Sequence, residues 1–259
     1  MDWKKSFGKW SLAVSVAPIV AAVIALKLIV HFAGGEFISI NTLFSGLIGA
    51  SVFLLGFLIA GTLSDFKESE RLPGELAASL NAIVDECSIL AKHKNPKPGR
   101  DALRYMQELT ISFKRWFHKK QRTHDLMQKI AGLNNHFTAF EPLTQPNFIV
   151  RLKQEQANVR RLVIRIHTIR ETSFVASGYA IAEASTGLLL LGLVFARIDP
   201  FWESLFFIGF IAFLLCYMVF LIRDLDNPFS YTDSKSFEEV SIKPLDDLSH
   251  RIEDELQEH

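Results

Sequence analysis

An all-α membrane protein with four transmembrane helices and a helical block between the two pairs is the fold class this sequence predicts. Three observations predict it. Four apolar runs each exceed the ~20 residues a helix needs to cross a bilayer. Lys and Arg collect in the first residues and the middle of the chain and nearly vanish from the two short links between runs. Outside the runs the apolar residues recur at helical spacing, and no strand alternation appears.

The first run, Ser11–Ala33, is too long for the ~7–15-residue apolar core of a signal peptide and has no convincing small-residue cleavage site after it, so it reads as span one. The second is Phe37–Leu63, the third Ser173–Ala196 and the fourth Phe201–Ile222. Lys4, Lys5 and Lys9 precede span one, the link "GGEFIS" has no Lys or Arg, and "RIDP" between spans three and four carries only Arg197. The segment from Ser64 to Thr172 holds Lys114-Arg115, Lys119-Lys120 and Arg160-Arg161. The positive-inside bias then puts both termini and the middle block in the cytoplasm of a multi-pass plasma (inner) membrane protein. Trp3 and Trp10 suit the inner interface and Trp202 the outer one. The expected parts are a first hairpin at 1–63 with span two lining a pore, a cytoplasmic helical domain at 64–172, a second hairpin at 173–222 and a cytoplasmic tail at 223–259.

In the middle block Pro73 fits the first turn of a helix, and Leu76, Leu80, Ile83, Val84, Cys87 and Leu90 follow at helical spacing. "HKNPKPGRD" breaks the chain. A second helix from about Asp101 carries Leu103, Met106, Leu109, Phe113, Trp116 and Phe117 on its apolar side. "NNHFTAFEPLTQPN" reads as a loop. A third helix from about Asn147 carries Val159, Leu162, Ile166 and Ile169. Arg151, Lys153, Arg160 and Arg161 make a basic face, which reads as solvated surface, with lipid head groups or an ion path as rivals. After span four, Pro228 lacks an N–H and disfavours helix at Asn227, so the helix stops there.

The composition excludes more than it assigns. Formal net charge is +0, which gives no reason to expect nucleic-acid binding. Cys87 and Cys216 sit in unlike settings and read as buried thiols rather than a disulfide. No phosphate-cradling glycine loop, nucleophile elbow or metal-ligand spacing is present, and His118 and His124 read as solvated. No enzyme, metal site or cofactor is expected. Two ionisable residues lie inside spans, where they are costly: Lys27, sixteen residues into span one, and Glu183, ten into span three. Their depths differ by roughly 9 Å at 1.5 Å per residue. Either they pair, or Lys27 snorkels, or Glu183 faces a water-filled path. Span two has no charge before Asp65, and one of its stripes reads Gly46, Gly49 or Ala50, Phe53, Phe57, Ala60 or Gly61, Ser64. It fits plain packing, or rings gathered on a symmetry axis as an apolar constriction that gates by dewetting.

Several stretches together resemble the bestrophin family. "LDNPFSYTDSKSF" after the last span is similar to that family's Asn-Pro-Phe-Gly and acidic tract, and "KPLDDLSHRIEDEL" looks like a segment of bacterial bestrophin homologues. "FLLGF", Phe53 to Phe57, resembles the family's neck, and "DFKESERLPGEL" its following segment. The order of spans and the tail agree along nearly the whole chain. The resemblance implies a homopentamer in the lipid bilayer, a neck at Phe53, Phe57 and Gly49, further lining by Gly46, Ala60, Ser64 and Asp65, and a tail that wraps neighbouring subunits from Asn227, Pro228 and Phe229. It implies a channel for small inorganic ions, chloride-like monovalent anions first. The alternatives are a cation-conducting bacterial-type homologue, which Asp65 and Glu68 would favour, and a non-conducting membrane scaffold or sensor. A transporter lacks the expected repeats and broken helices. The sequence departs from the family at Gly49, where a bulky apolar residue is usual. It departs again at Ser230–Ser236, where Asp233 beside Lys235 makes a poor cage for calcium, which wants several oxygen ligands.

Overall fold

The computed structural model describes residues 10–93, 96–171, 176–226, 228, 229, 231 and 240–257. Its elements are α1 (Ser11–Phe32), β1 (Ile38–Ser39), α2 (Thr42–His93), α3 (Pro96–Phe117), α4 (Thr123–Phe140), α5 (Pro146–Glu171), α6 (Ala176–Phe195), β2 (Ala196–Arg197), α7 (Phe201–Leu225) and α8 (Lys243–Gln257). Among the described residues, α1, the first part of α2, α6 and α7 are the four helices long and apolar enough to cross a membrane. The chain divides into two compact units: 1–66 with 173–227, and 67–172 with 228–259.

In the first unit α1 packs on α7 and α6, and α6 packs on α7. Leu55 and Leu58 of α2 join Ala182, Leu189, Leu215, Val219 and Ile222 in one apolar cluster. Small residues set the close approaches, as small residues do between membrane helices. A Cβ at Gly192 would sit 2.9 Å from the Phe44 ring, and one at Gly209 would sit 3.2 Å from Ile24. No strand was expected, yet the two links meet in a short parallel bridge pairing Ile38 with Ala196 and Ser39 with Arg197. Two residues are too few to leave a period in the sequence.

In the second unit α3 packs on α4 and α8, and α4 packs on α5. The core carries Leu103, Met106, Phe113 and Trp116 of α3, Leu126, Ile130, Phe137 and Phe140 of α4, Val159 and Ile166 of α5, and Leu245, Leu248 and Ile252 of α8. Two expectations are corrected here. Pro73 does not begin a helix but lies inside the 52-residue α2. An interior proline costs ~3 kcal/mol; burial of Leu72, Leu76, Ala77 and Leu80 around it offsets that cost. The stretch from Asn134 is not a loop up to Gln145, because α4 runs to Phe140. Asn and Thr are weak helix formers, but Leu133, Phe137 and Phe140 are buried at helical spacing and decide the outcome.

Helix α7 continues to Leu225, where the Asp226 N–H donates to the Ile222 carbonyl at 3.1 Å. Asn227, Ser230 and residues 232–239, which include Asp233, lie outside the described residues. Phe229 is fully buried within its own chain, with its ring 5.8 Å from that of Phe117. The Tyr231 hydroxyl donates to the Val240 carbonyl at 2.5 Å.

Candidate functional site

The membrane part of α2 has two unlike faces. Ser51, Leu55, Leu58 and Thr62 are buried, and the Thr62 hydroxyl closes back on the Leu58 carbonyl at 3.1 Å. The other face carries Phe53 at 78% exposure and Phe57 at 67% within the chain. Ala60, Ser64 and Asp65 are exposed on the continuation of the helix. Gly46, Gly49 and Gly56 border open space. Positions four apart on a helix lie on one side, so both rings leave the chain in nearly the same direction. Neither is used to pack the first unit together.

The two charges inside spans do not pair with one another. Lys27 is fully buried; its ammonium donates to Glu36 Oε1 at 2.6 Å and to the Ala196 carbonyl. His31 lies one turn further along α1, with Nδ1 3.2 Å from Glu36 Oε1 and its ring stacked on Phe201 at 3.6 Å. Partial burial opposes ionisation of Glu36, but the hydrogen bond from Lys27 and the nearby His31 ring outweigh it and hold the carboxyl below its usual range. Glu183 instead accepts from Arg223, at 3.0 Å from Nε and 2.6 Å from Nη2. Each charge has a partner of its own, Glu36 for Lys27 and Arg223 for Glu183. Sequence reasoning missed both partners, although Glu36 is the sole carboxylate between Asp2 and Asp65.

In the second unit Arg165 holds Glu68 in a bidentate pair at 2.8 and 2.7 Å. That hydrogen bonding keeps the Glu68 carboxyl below its ordinary range. Cys87 and Cys216 are free and buried, and burial pushes the Cys87 thiol up to about 12. Among the described residues no group of three or more His, Cys, Asp or Glu side chains could hold a metal ion.

No protein-family model and no curated protein matches the chain. Solved structures do. A bacterial bestrophin homologue from Klebsiella pneumoniae matches at a TM-score of 0.78 and 15% identity, over 93% of this chain and 98% of that one. A point mutant of the same homologue matches at 0.75 and 17% identity, over 94% of this chain and 98% of the other. A second mutant matches at 0.74 and 16%, over 93% and 99%. At these identities the likeness is one of fold, and it bears out at that level the resemblance read from the motifs.

Proposed function

We propose, on the premise of a bacterial bestrophin-homologue fold, that this chain is a subunit of a homopentameric ion channel in the plasma membrane, with its termini, the 64–172 block and the 223–259 tail in the cytoplasm. The bare face of α2 lines the axis, with Phe53 and Phe57 as the neck and Gly49, Gly46, Ala60, Ser64 and Asp65 along the path. The observation that carries this reading is the 78% and 67% exposure of the two rings beside a packed opposite face. Rings that packed within one chain would be buried there. Monovalent anions such as chloride are the proposed permeant class. The weakly positive ring edges favour an anion modestly, and the bidentate hold of Arg165 on Glu68 is consistent with that preference because it neutralises one of the two acids that argued for cations.

The test is recording in planar bilayers with asymmetric chloride salts, using wild type and Phe53→Ala/Phe57→Ala. The expected results are five copies by native mass spectrometry, an anion-selective reversal potential, and a larger current for the variant at unchanged assembly. A buried Phe costs ~3–5 kcal/mol on truncation to Ala; these rings should cost far less within the chain. A monomer, or a destabilised variant with no gain of current, refutes the neck.

A further inference from the structure

The turn between α3 and α4 concentrates positive charge. From Thr110 to His124 the chain has Lys114, Arg115, Lys119, Lys120 and Arg122 and no acid. Lys114 is committed to Asp246 at 2.8 Å. Arg115, Lys119, Lys120 and Arg122 are exposed, and among the described residues none of the four forms a side-chain hydrogen bond or ion pair.

The backbone gathers these four onto one turn. The Lys120 N–H donates to the Arg115 carbonyl at 2.8 Å and the Lys119 N–H to the Trp116 carbonyl at 3.0 Å. This is the closing pattern in which the residue just past a helix turns left-handed, a position that glycine fills most easily. Here Lys119 fills it, at φ 57°. Three residues later Arg122 enters the 18-residue α4 in an extended conformation, and no side chain caps the helix. The nearby Thr123 hydroxyl is occupied, as it accepts from Trp116 Nε1 at 3.0 Å. The first N–H groups of α4 thus end among the same cations, where a helix start favours negative charge. Asp125, in the first turn of α4, is the acid closest in sequence.

We propose that the α3–α4 turn is a binding surface for a phosphate-bearing anion, held by Arg115, Lys119, Lys120 and Arg122. Guanidinium and ammonium groups together suit phosphate oxygens, the former as a fork and the latter as point charges. A soluble polyphosphate and an anionic lipid head group present the same chemistry. The surface is independent of the α2 face and does not depend on whether the protein conducts.

The experiment uses the full chain in nanodiscs and the variant Lys119→Gly/Lys120→Gln. Glycine suits the left-handed position, so the variant keeps the turn and should match wild type in thermal stability. In one arm, titration calorimetry in zwitterionic nanodiscs follows inorganic pyrophosphate at two salt concentrations. In the other, native mass spectrometry counts phosphatidylglycerol retained from nanodiscs of equal phosphatidylcholine and phosphatidylglycerol. The expected result is a loss of at least about tenfold in affinity for pyrophosphate, with a shallower salt dependence, or an equivalent loss of retained phosphatidylglycerol. The first outcome assigns a soluble anion and the second a lipid. If wild type binds neither, or the variant binds as wild type does in both arms, the turn is only a solvated surface and the proposal is overturned.

Discussion

Replacing Lys27 with Met should be among the most damaging single changes in the first unit. Lys27 is fully buried and the Glu36 side chain only 12% exposed. At 2.6 Å the gross attraction is ~6 kcal/mol at an effective dielectric of 20, but most of that is returned as desolvation cost when the pair is compared with apolar residues. Removing one partner is different, because it strands a carboxylate beside His31 and leaves the Ala196 carbonyl without its ammonium. Broken buried pairs cost ~3–5 kcal/mol. A ceiling follows from proton uptake: an ordinary Glu escapes its charge at pH 7 for about 3.7 kcal/mol, taking ~1.36 kcal/mol for each unit above 4.3. The expected loss is therefore ~3–4 kcal/mol, or roughly 10 °C in midpoint for a chain of this size. Adding Glu36→Gln should restore about half of it, since no charge is then stranded. Thermal unfolding in detergent, with hydrogen exchange of the 34–39 link, measures both. A Lys27→Met midpoint within ~2 °C of wild type, or a double variant less stable than the single one, would refute a stranded charge at Glu36.

Glu255 is held below the usual carboxylate range chiefly by its hydrogen bond from Lys92, with burial opposing. A depressed carboxyl contributes stability that is full above its unfolded value near ~4.3 and is lost as pH falls through the folded value. Protection of α8 against hydrogen exchange should drop in that acid window, and Glu255→Gln should flatten the drop. Gly99→Ala should destabilise the second unit by ~1–3 kcal/mol despite alanine's better helix propensity, because the new Cβ would overlap the Ala91 backbone; chemical denaturation measures it. Any current should be indifferent to micromolar calcium in wild type and in Asp233→Ala alike, since the tract around Asp233 is short of carboxylates; a response abolished by the substitution would contradict this.

The four spans were legible because a bilayer demands a continuous apolar length, and that demand is local in sequence. The helices of the second unit were legible where their apolar period was clean, as from Leu103 to Phe117. They were misread where a local signal pointed one way and burial another. Pro73 looks like a helix start by its own chemistry, and only the buried neighbours on both sides carry α2 through it. Asn134 and Asn135 look like a turn, and only the burial of Phe137 and Phe140 in the core of the second unit keeps α4 going. The β1–β2 bridge depends on two links more than 150 residues apart meeting, which no window on the sequence reports.

The candidate site divides along the same line. The stripe on α2 is periodic and therefore readable, whereas the partners of Lys27 and Glu183 belong to placement in space. Periodicity alone does not say what a bare stripe faces, because lipid and a second helix are both apolar surroundings. Side-chain size separates them. On α7 the bare positions Phe206, Phe207 and Phe210 are uniformly large, as suits contact with acyl chains. On α2 the bare face carries Leu43, Leu47 and Leu63 as well, but it sets Gly46, Gly49, Gly56 and Ala60 around the two rings and ends on Ser64 and Asp65. A glycine turned to lipid gains nothing, while a glycine turned to another helix lets backbones approach closely. A polar end on the same stripe is costly against hydrocarbon and natural beside water. Small, aromatic and then polar along one face is the order that the proposed arrangement around an axis asks of α2, and truncation of Phe53 and Phe57 tests it.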